Sequence, residues 1–584
     1  MVLPVYFQEN YFFYPLGNVS AVSLLRDVPP EGPVTLLLAG CGDPRNILYS
    51  LYSELPTANR KLDFTCCDID PAILARNVLL YTMLADDVAS DIIWNIFFHF
   101  HLDQSCLSRL EAHCQKLLDI RSSLDAWKSS PYAEFIQFGT LHTFQELRRH
   151  WRLYVDMKNI PSSRLSELKS DLWVMTKKAL GVMSMCPFGL RSAAPFVWNA
   201  EEACSTVYKT YWTTGTTFTT ESKQRAAKFL NPTFIYCLAG EGVYFHYATD
   251  PVAPFHLAEL FSRDVGVSAR DLVAFAQRQF QSWGSAYRKA ITSQKPPVIR
   301  CVVSDALALC RALKLLNETG NIESPFAVVP WKPEIVRLDG GCYGRSSMHV
   351  APTMYDVIAT TNLTDHLGLL NILVTSVPLL QFHGVLYTES ISPDAVDPSR
   401  DFVKRLHGDI QTMFFLLDIH AVEYLSGFSA ISNAHEVFLQ QSMWSQHHQP
   451  TTWKVAISGD SSVNEAPAML WDSQQLGDLL FGIYRRIFES EDMQVWWRNN
   501  LNNLEHALQK MATIHYMRET FSLVLRHVRE RFKIAEGPWG EVMDRFLAQT
   551  PRIDSAMQSD HDMAAHLHLQ SLHTAGLLTQ IKSR

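Results

Sequence analysis

Short apolar runs and helical spacings divide the chain. Val34–Ala39 is apolar at five of six positions and runs straight into Gly40-Cys41-Gly42. That pattern predicts a strand, a tight turn and a helix beginning at Pro44, with Asp43 before it as a cap. A second run, Leu62 to Cys67, ends on Asp68, and a second helix is predicted from Pro71 after Asp70. After Asp86-Asp87 the alternation stops. From there to about residue 295 most apolar residues recur at three- and four-residue spacing, the signature of helices. Within this stretch TVYKTYWTTGTTFTT is rich in β-branched and aromatic residues and reads as extended, and PTFIYCLAGEGVYFHYAT reads as a hairpin around Gly240–Gly242. The alternation resumes with a strand at Val298 and its helix, a fourth strand over Tyr355–Thr360 with a helix after it, and a fifth over Gln381–Thr388. Beyond about residue 395 helices dominate, with a strand pair expected at TWKVAIS and PAMLWD.

The fold class that follows is α/β: a doubly wound, Rossmann-like sheet with a large, mainly helical insertion and a mainly helical C-terminal region. Residues 1–85 hold an N-terminal strap and the first half of the core, and 86–295 the insertion or cap. The second half of the core occupies 296–395, and the C-terminal region 396–584.

Composition narrows the setting. At 584 residues two or three domains are expected, and 47% apolar with 19% charged residues is a globular balance. A net charge of −8 argues against nucleic-acid binding. The eleven cysteines include no CxxC pair, so no zinc ribbon or disulfide framework is expected, and a reducing, cytoplasmic setting is. The N-terminus lacks the basic region of a signal peptide. His366–Thr388 carries no charged residue and is long enough to span a bilayer, but Asn371, Pro378, Gln381, His383 and Gly384 interrupt it. It reads as a buried helix followed by a buried strand, and no membrane partner is expected.

The glycine turn carries the candidate chemistry. A dinucleotide site uses G-x-G-x-x-G, and the third glycine would fall at Arg45. S-adenosylmethionine has no phosphate and needs mainly a glycine turn and an acidic ribose partner. Gly40 and Gly42 supply the turn, and Asp68, closing the second strand, supplies the carboxylate. Asp43 joins the cofactor-side groups, although Asp43 and Asp70 each precede a proline and serve equally as helix caps. Val302-Val303-Ser304-Asp305-Ala306 resembles the segment where class I methyltransferases place an Asp near the adenine amino group. Asn362 lies at the carboxyl end of the fourth strand, where Asp365 and His366 are the candidate catalytic acid–base groups. The spread histidines at 99, 101, 561, 566, 568 and 573 lack the spacing of a metal site, so no metal is expected.

Three blocks carry a resemblance: FYPLGNVSAVSLLRDVPPEGPVTLLLAGCGDPRNILYSLYSE, LDFTCCDIDPAILARNVLLYTML and YDVIATTNLTDHLGLLNILVTSVPLL. They resemble an uncharacterised fungal domain family whose members often carry a MYND zinc finger. The domain is also similar to the N-terminal part of a dynein axonemal assembly factor. The resemblance implies a methyltransferase-like core with S-adenosylmethionine as cofactor and an unknown small-molecule or protein substrate. The alternative it implies is a non-catalytic scaffold or assembly factor that retains the methyltransferase-like fold and binds a protein partner. The cysteine and histidine spacing of a MYND finger is missing from this sequence.

Overall fold

An apolar strand flanked by strands on both edges must also be covered on both faces, and Val34–Ala39 meets that demand. The computed structural model of the chain describes residues 13–54, 60–120, 123–183, 187–263, 266–325, 327–328, 333–344, 350–392, 398–427, 447–455, 469–491, 497–498, 501, 515–549 and 557–573. Val34–Ala39 is strand β1, with Leu36 and Leu38 packed into one core and Leu37 and Ala39 into the other. Burial on alternate faces is what a parallel strand inside a layered α/β sheet requires.

Seven more strands share this sheet: β2 (Leu62–Asp68), β3 (Ile136–Phe138), β4 (Val298–Val303), β5 (Tyr355–Ala359), β6 (Leu380–Ser392), β7 (Ile419–Ala421) and β8 (His447–Val455). Their order is β7-β8-β6-β5-β1-β2-β4-β3. Every pairing is parallel except those of β8, which runs antiparallel to both β6 and β7. With β3 set aside, the strands lie third, second, first, fourth, fifth, seventh, sixth across the sheet. The chain is thus a mixed α/β protein with a large, mostly parallel central sheet between helices, compatible with a Rossmann-like fold.

The expected five strands are all present, and the sheet is wider than five for two reasons. The insertion is not only helical: Ile136–Phe138 pairs with β4 and extends that edge. The C-terminal region adds β7 and β8 at the other edge. Of TWKVAIS, the residues to Val455 lie in β8, and the rest lie outside the described residues. Met469–Asp472 of PAMLWD form no strand, and Pro467 and Ala468 lie outside the described residues.

Two local expectations are corrected. The first helix, α1, spans Arg45–Ser53 and Asp43 does not cap it. The second, α2 (Pro71–Ala85), is capped by Asp70, whose side chain accepts from the Ala72 amide. The β-branched stretch from Thr206 begins as the end of a helix, Val197–Thr214, and its remaining residues, 215–220, form no strand. In the helix Ala203, Cys204, Val207, Tyr208, Tyr211 and Trp212 are buried at helical spacing, so the face to be covered overrides residue propensity. The hairpin does form, as Tyr236–Cys237 against Gly240–Glu241.

The insertion is fastened to the core by a buried arginine. Arg76 on α2 donates to Phe97 O (2.7 Å) and Thr233 O (3.1 Å), and its guanidinium lies between the Phe97 and Phe234 rings. The uncharged segment from His366 gives a buried helix, Leu369–Ser376, and then β6. No helix among the described residues is long and apolar enough to cross a membrane.

Candidate functional site

The carboxyl ends of β1, β2, β4, β5 and β6 converge where the strand order turns back on itself, beside β1. In open α/β sheets this is where ligands sit. Gly40 and Gly42 adopt φ of +67° and +57°, the left-handed region that glycine enters at low cost. A Cβ on Gly40 would lie 3.0 Å from Leu363 Cδ2, so the close approach that the glycine permits is taken by the protein's own leucine.

Asp68 is drawn into the turn. One carboxylate oxygen accepts from the Gly42 amide and the other from the Asp70 amide, each at 3.0 Å. Burial still outweighs those two amides and pushes its carboxyl up to about 7. Asp70 accepts from Ala72 N (2.9 Å) and from Leu238 N (3.1 Å), which brings the insertion's hairpin onto the end of β2.

Asp43, expected on the cofactor side or as a cap, does not cap α1. It accepts from Gly17 N at 2.7 Å and pairs with Arg45 at 2.5 Å. Arg45 lies flat against Gly17, where a side chain would collide with its guanidinium. The residue standing at the missing third glycine therefore clamps the N-terminal strap.

At the end of β4, Asp305 caps the following helix, α3 (Ala306–Thr319), through the amides of Leu307 (2.8 Å) and Ala308 (3.2 Å). Glu334 meets the same corner: Ser304 Oγ and Asp305 N donate to its two carboxylate oxygens at 2.6 and 3.2 Å. At the end of β5, Asn362 begins a short helix, α4 (Leu363–Leu367), and its amide stands 3.5 Å from His366 Nε2, which is exposed. Asp365 accepts from Ile391 N and from Arg405, both at 2.8 Å. The structure thus gathers the eight residues singled out in the sequence at one end of the sheet, but engages their carboxylates with the protein's own groups.

Two residues there escape sequence reasoning. Thr361 has φ of +39°, a costly conformation for a β-branched residue, and its hydroxyl donates to Gly40 O at 3.2 Å. Glu389 sits higher on β6, donates its amide to Thr361 O (2.8 Å), and has its carboxyl pushed up by burial against the opposing pull of Arg45 and Arg26. Beside them is a cavity of about 30 Å³ shared with Arg26 and Asn46, room for a single water. A strained backbone has no sequence signature. Glu389 was legible in principle, as the carboxylate that interrupts the apolar fifth strand near its carboxyl end.

S-adenosylmethionine would have to share these residues with the protein's own contacts. Both Asp68 oxygens hold backbone amides, Leu363 covers Gly40, and Glu334 holds the Ser304–Asp305 corner. Among the described residues no group of three or more His, Cys, Asp or Glu could hold a metal ion.

Comparison with known proteins adds one likeness. No curated protein and no solved structure matches the chain. Residues 15–102, from the strap through β1, α1, β2 and α2 to the start of the insertion, match the model of an uncharacterised family described as Domain of unknown function (DUF4470).

Proposed function

We propose that this chain is a methyltransferase-like protein whose sheet serves as a scaffold for a protein partner and does not transfer a methyl group. The strand order third, second, first, fourth, fifth, seventh, sixth, with the seventh reversed, is that of class I S-adenosylmethionine methyltransferases, which supports the methyltransferase-like reading. One observation carries the scaffold reading: each carboxylate oxygen of Asp68, the ribose candidate, already accepts a backbone amide, one from the glycine turn and one from the cap residue of α2. The assembly-factor role implied by the resemblance agrees with it, and the buried free cysteines suit a reducing compartment such as the cytoplasm.

Calorimetry with S-adenosylmethionine and its demethylated product tests this. The scaffold reading expects no saturable heat with either compound up to about 1 mM, a binding free energy near −4 kcal/mol. The rival reading, an active methyltransferase, draws on strained Thr361 and perturbed Glu389, since strain and shifted acids gather at working sites. It expects micromolar binding that Asp68→Ala weakens by about tenfold, and that result would sink the scaffold.

A further inference from the structure

The short helix α4 touches two parts of the molecule at once. Toward the sheet, the Leu363 side chain rests on Gly40, the Thr361 hydroxyl donates to Gly40 O at 3.2 Å, and the Thr364 hydroxyl donates to Glu389 O on β6. From the other side the C-terminal region grips it. Arg405, on the helix Pro398–Leu406, donates to Asp365 and to Ile391 O, both at 2.8 Å, while Asp365 takes the Ile391 amide with its other oxygen. These three residues close a ring, and Asp401 steadies Arg405 at 2.8 Å. His515 Nε2 stands 3.1 Å from Asp365 O, and the His515 carbonyl accepts from the Asn371 side chain at 2.7 Å. The Tyr516 ring fills the notch beside Gly368, where a Cβ would lie 2.7 Å from Tyr516 Cζ.

The balance between these contacts is fine. At 5 residues α4 is too short to hold a helix by itself, so it keeps its place through its neighbours. The backbone takes positive φ on both flanks, +39° at Thr361 and +85° at Gly368. Glycine adopts such angles at low cost and threonine does not, so Thr361 opposes the closed arrangement and the surrounding contacts must hold it. The grip itself is partly wet. The Arg405 and Asp365 side chains are 21% and 19% exposed, so water competes for their pairing.

We infer that the C-terminal region controls the glycine turn through α4: while Arg405, His515 and Tyr516 hold the helix, Leu363 seats on Gly40 and closes the turn, and when they release it the leucine withdraws. A protein that engages Arg405 or Tyr516 thereby opens the turn, and whatever displaces Leu363 loosens the C-terminal region by the same factor. The inference rests on that part of the scaffold reading which takes the closed turn as the resting form, and not on whether a methyl group is transferred. Hydrogen exchange of the full-length protein reads both ends without a ligand, at the amides of Cys41 and Gly42, bonded to Cys67 O and Asp68, and at those of Asp365 and Gly368. Arg405→Ala and Tyr516→Ala are each expected to quicken exchange about tenfold at both sets while β2 is unchanged. Leu363→Ala quickens Cys41 and Gly42 by itself, and adding Tyr516→Ala brings no further change there, as coupling through one side chain requires. Arg545→Ala, which breaks an exposed pair with Asp478 elsewhere in the C-terminal region, alters neither set. Where urea unfolding shows Arg405→Ala to be broadly destabilised, Arg405→Lys, which keeps the charge and loses the fork, is read in its place and quickens both sets to a smaller degree. Quickening at α4 alone, quickening that extends to β2, or additive effects of Leu363→Ala and Tyr516→Ala each overturn the inference. Binding of S-adenosylmethionine by the wild type with this exchange pattern intact overturns the scaffold reading alone, and loss of the pattern without binding overturns the latch alone.

Discussion

Two carboxylates on β2, Asp63 and Asp68, show how differently one residue type behaves in this sheet. Asp63 on β2 receives Arg300 of β4 in a two-pronged pair, both contacts 2.9 Å, and Arg300 also meets Gln137 of β3. Removing one member of such a pair strands the other charge. Asp63→Ala is expected to cost about 3–5 kcal/mol in urea unfolding, whereas replacing both with apolar residues of similar volume is expected to cost far less. Asp68 has no cation against it, and its folded-state carboxyl stands at about 7 against 3.8 for the ordinary group. The folded protein therefore keeps a proton that the unfolded chain has released, so this residue's contribution to stability falls as pH rises from about 4 to about 7. Asp68→Asn removes that slope. Because the buried histidines make the protein as a whole lose stability as pH falls, the drop in urea midpoint from pH 7.5 to pH 5 should be larger for the variant than for the wild type. An equal pH dependence in the two proteins would falsify the shift assigned to Asp68.

At the scale of the element, the strap is held by one face of α1. Asp43 takes the amide of Gly17, Asn46 that of Val22 (3.0 Å) and Ser50 that of Leu24 (2.9 Å). Residues 46 and 50 are one helical turn apart, so an extended strap laid along the helix meets them in turn. The Asn46→Ala, Ser50→Ala double variant leaves two amides unpaired at about 1–3 kcal/mol each. Hydrogen exchange of residues 17–24 should quicken while β1 and β2 stay protected. Elements of this kind also show what the sequence made legible. Both central strands, the Asp70-Pro71 cap and the helix-then-strand reading of the uncharged segment follow from local pattern, and the structure has them. The Asp43-Pro44 pair has the same local form and a different outcome, because the strap and Arg45 compete for Asp43 from outside the window that a cap motif inspects. The candidate site was legible as a set of positions, all at one end of the sheet. Its closure was not, because Leu363, Glu334 and Leu238 reach it from segments far away in the chain.

Across the whole molecule, burial keeps many histidines neutral. His99 and His150 are pushed down to about 3, and His113, His246, His407 and His527 to about 4. Below pH 6.5 the unfolded chain takes up protons that these side chains refuse in the fold, so stability is lost as pH falls toward 4. Asp68 and Asp250, raised to about 7 and about 6, act in the opposite sense, and six groups outweigh two. The thermal midpoint is expected to drop between pH 7 and pH 5; a midpoint that holds or rises would contradict the burial of these histidines. The split sheet carries a consequence of another kind, in time. About 230 residues separate the end of β2 at Asp68 from the start of its neighbour β4 at Val298. At a synthesis rate of about 5–20 residues per second, β2 waits roughly ten to fifty seconds for the strand that covers its edge. For that interval the nascent chain displays an unpaired, apolar strand edge built from Phe64, Cys66 and Cys67, so the yield of folded protein in a cell depends on what shields that edge while the ribosome works through the insertion.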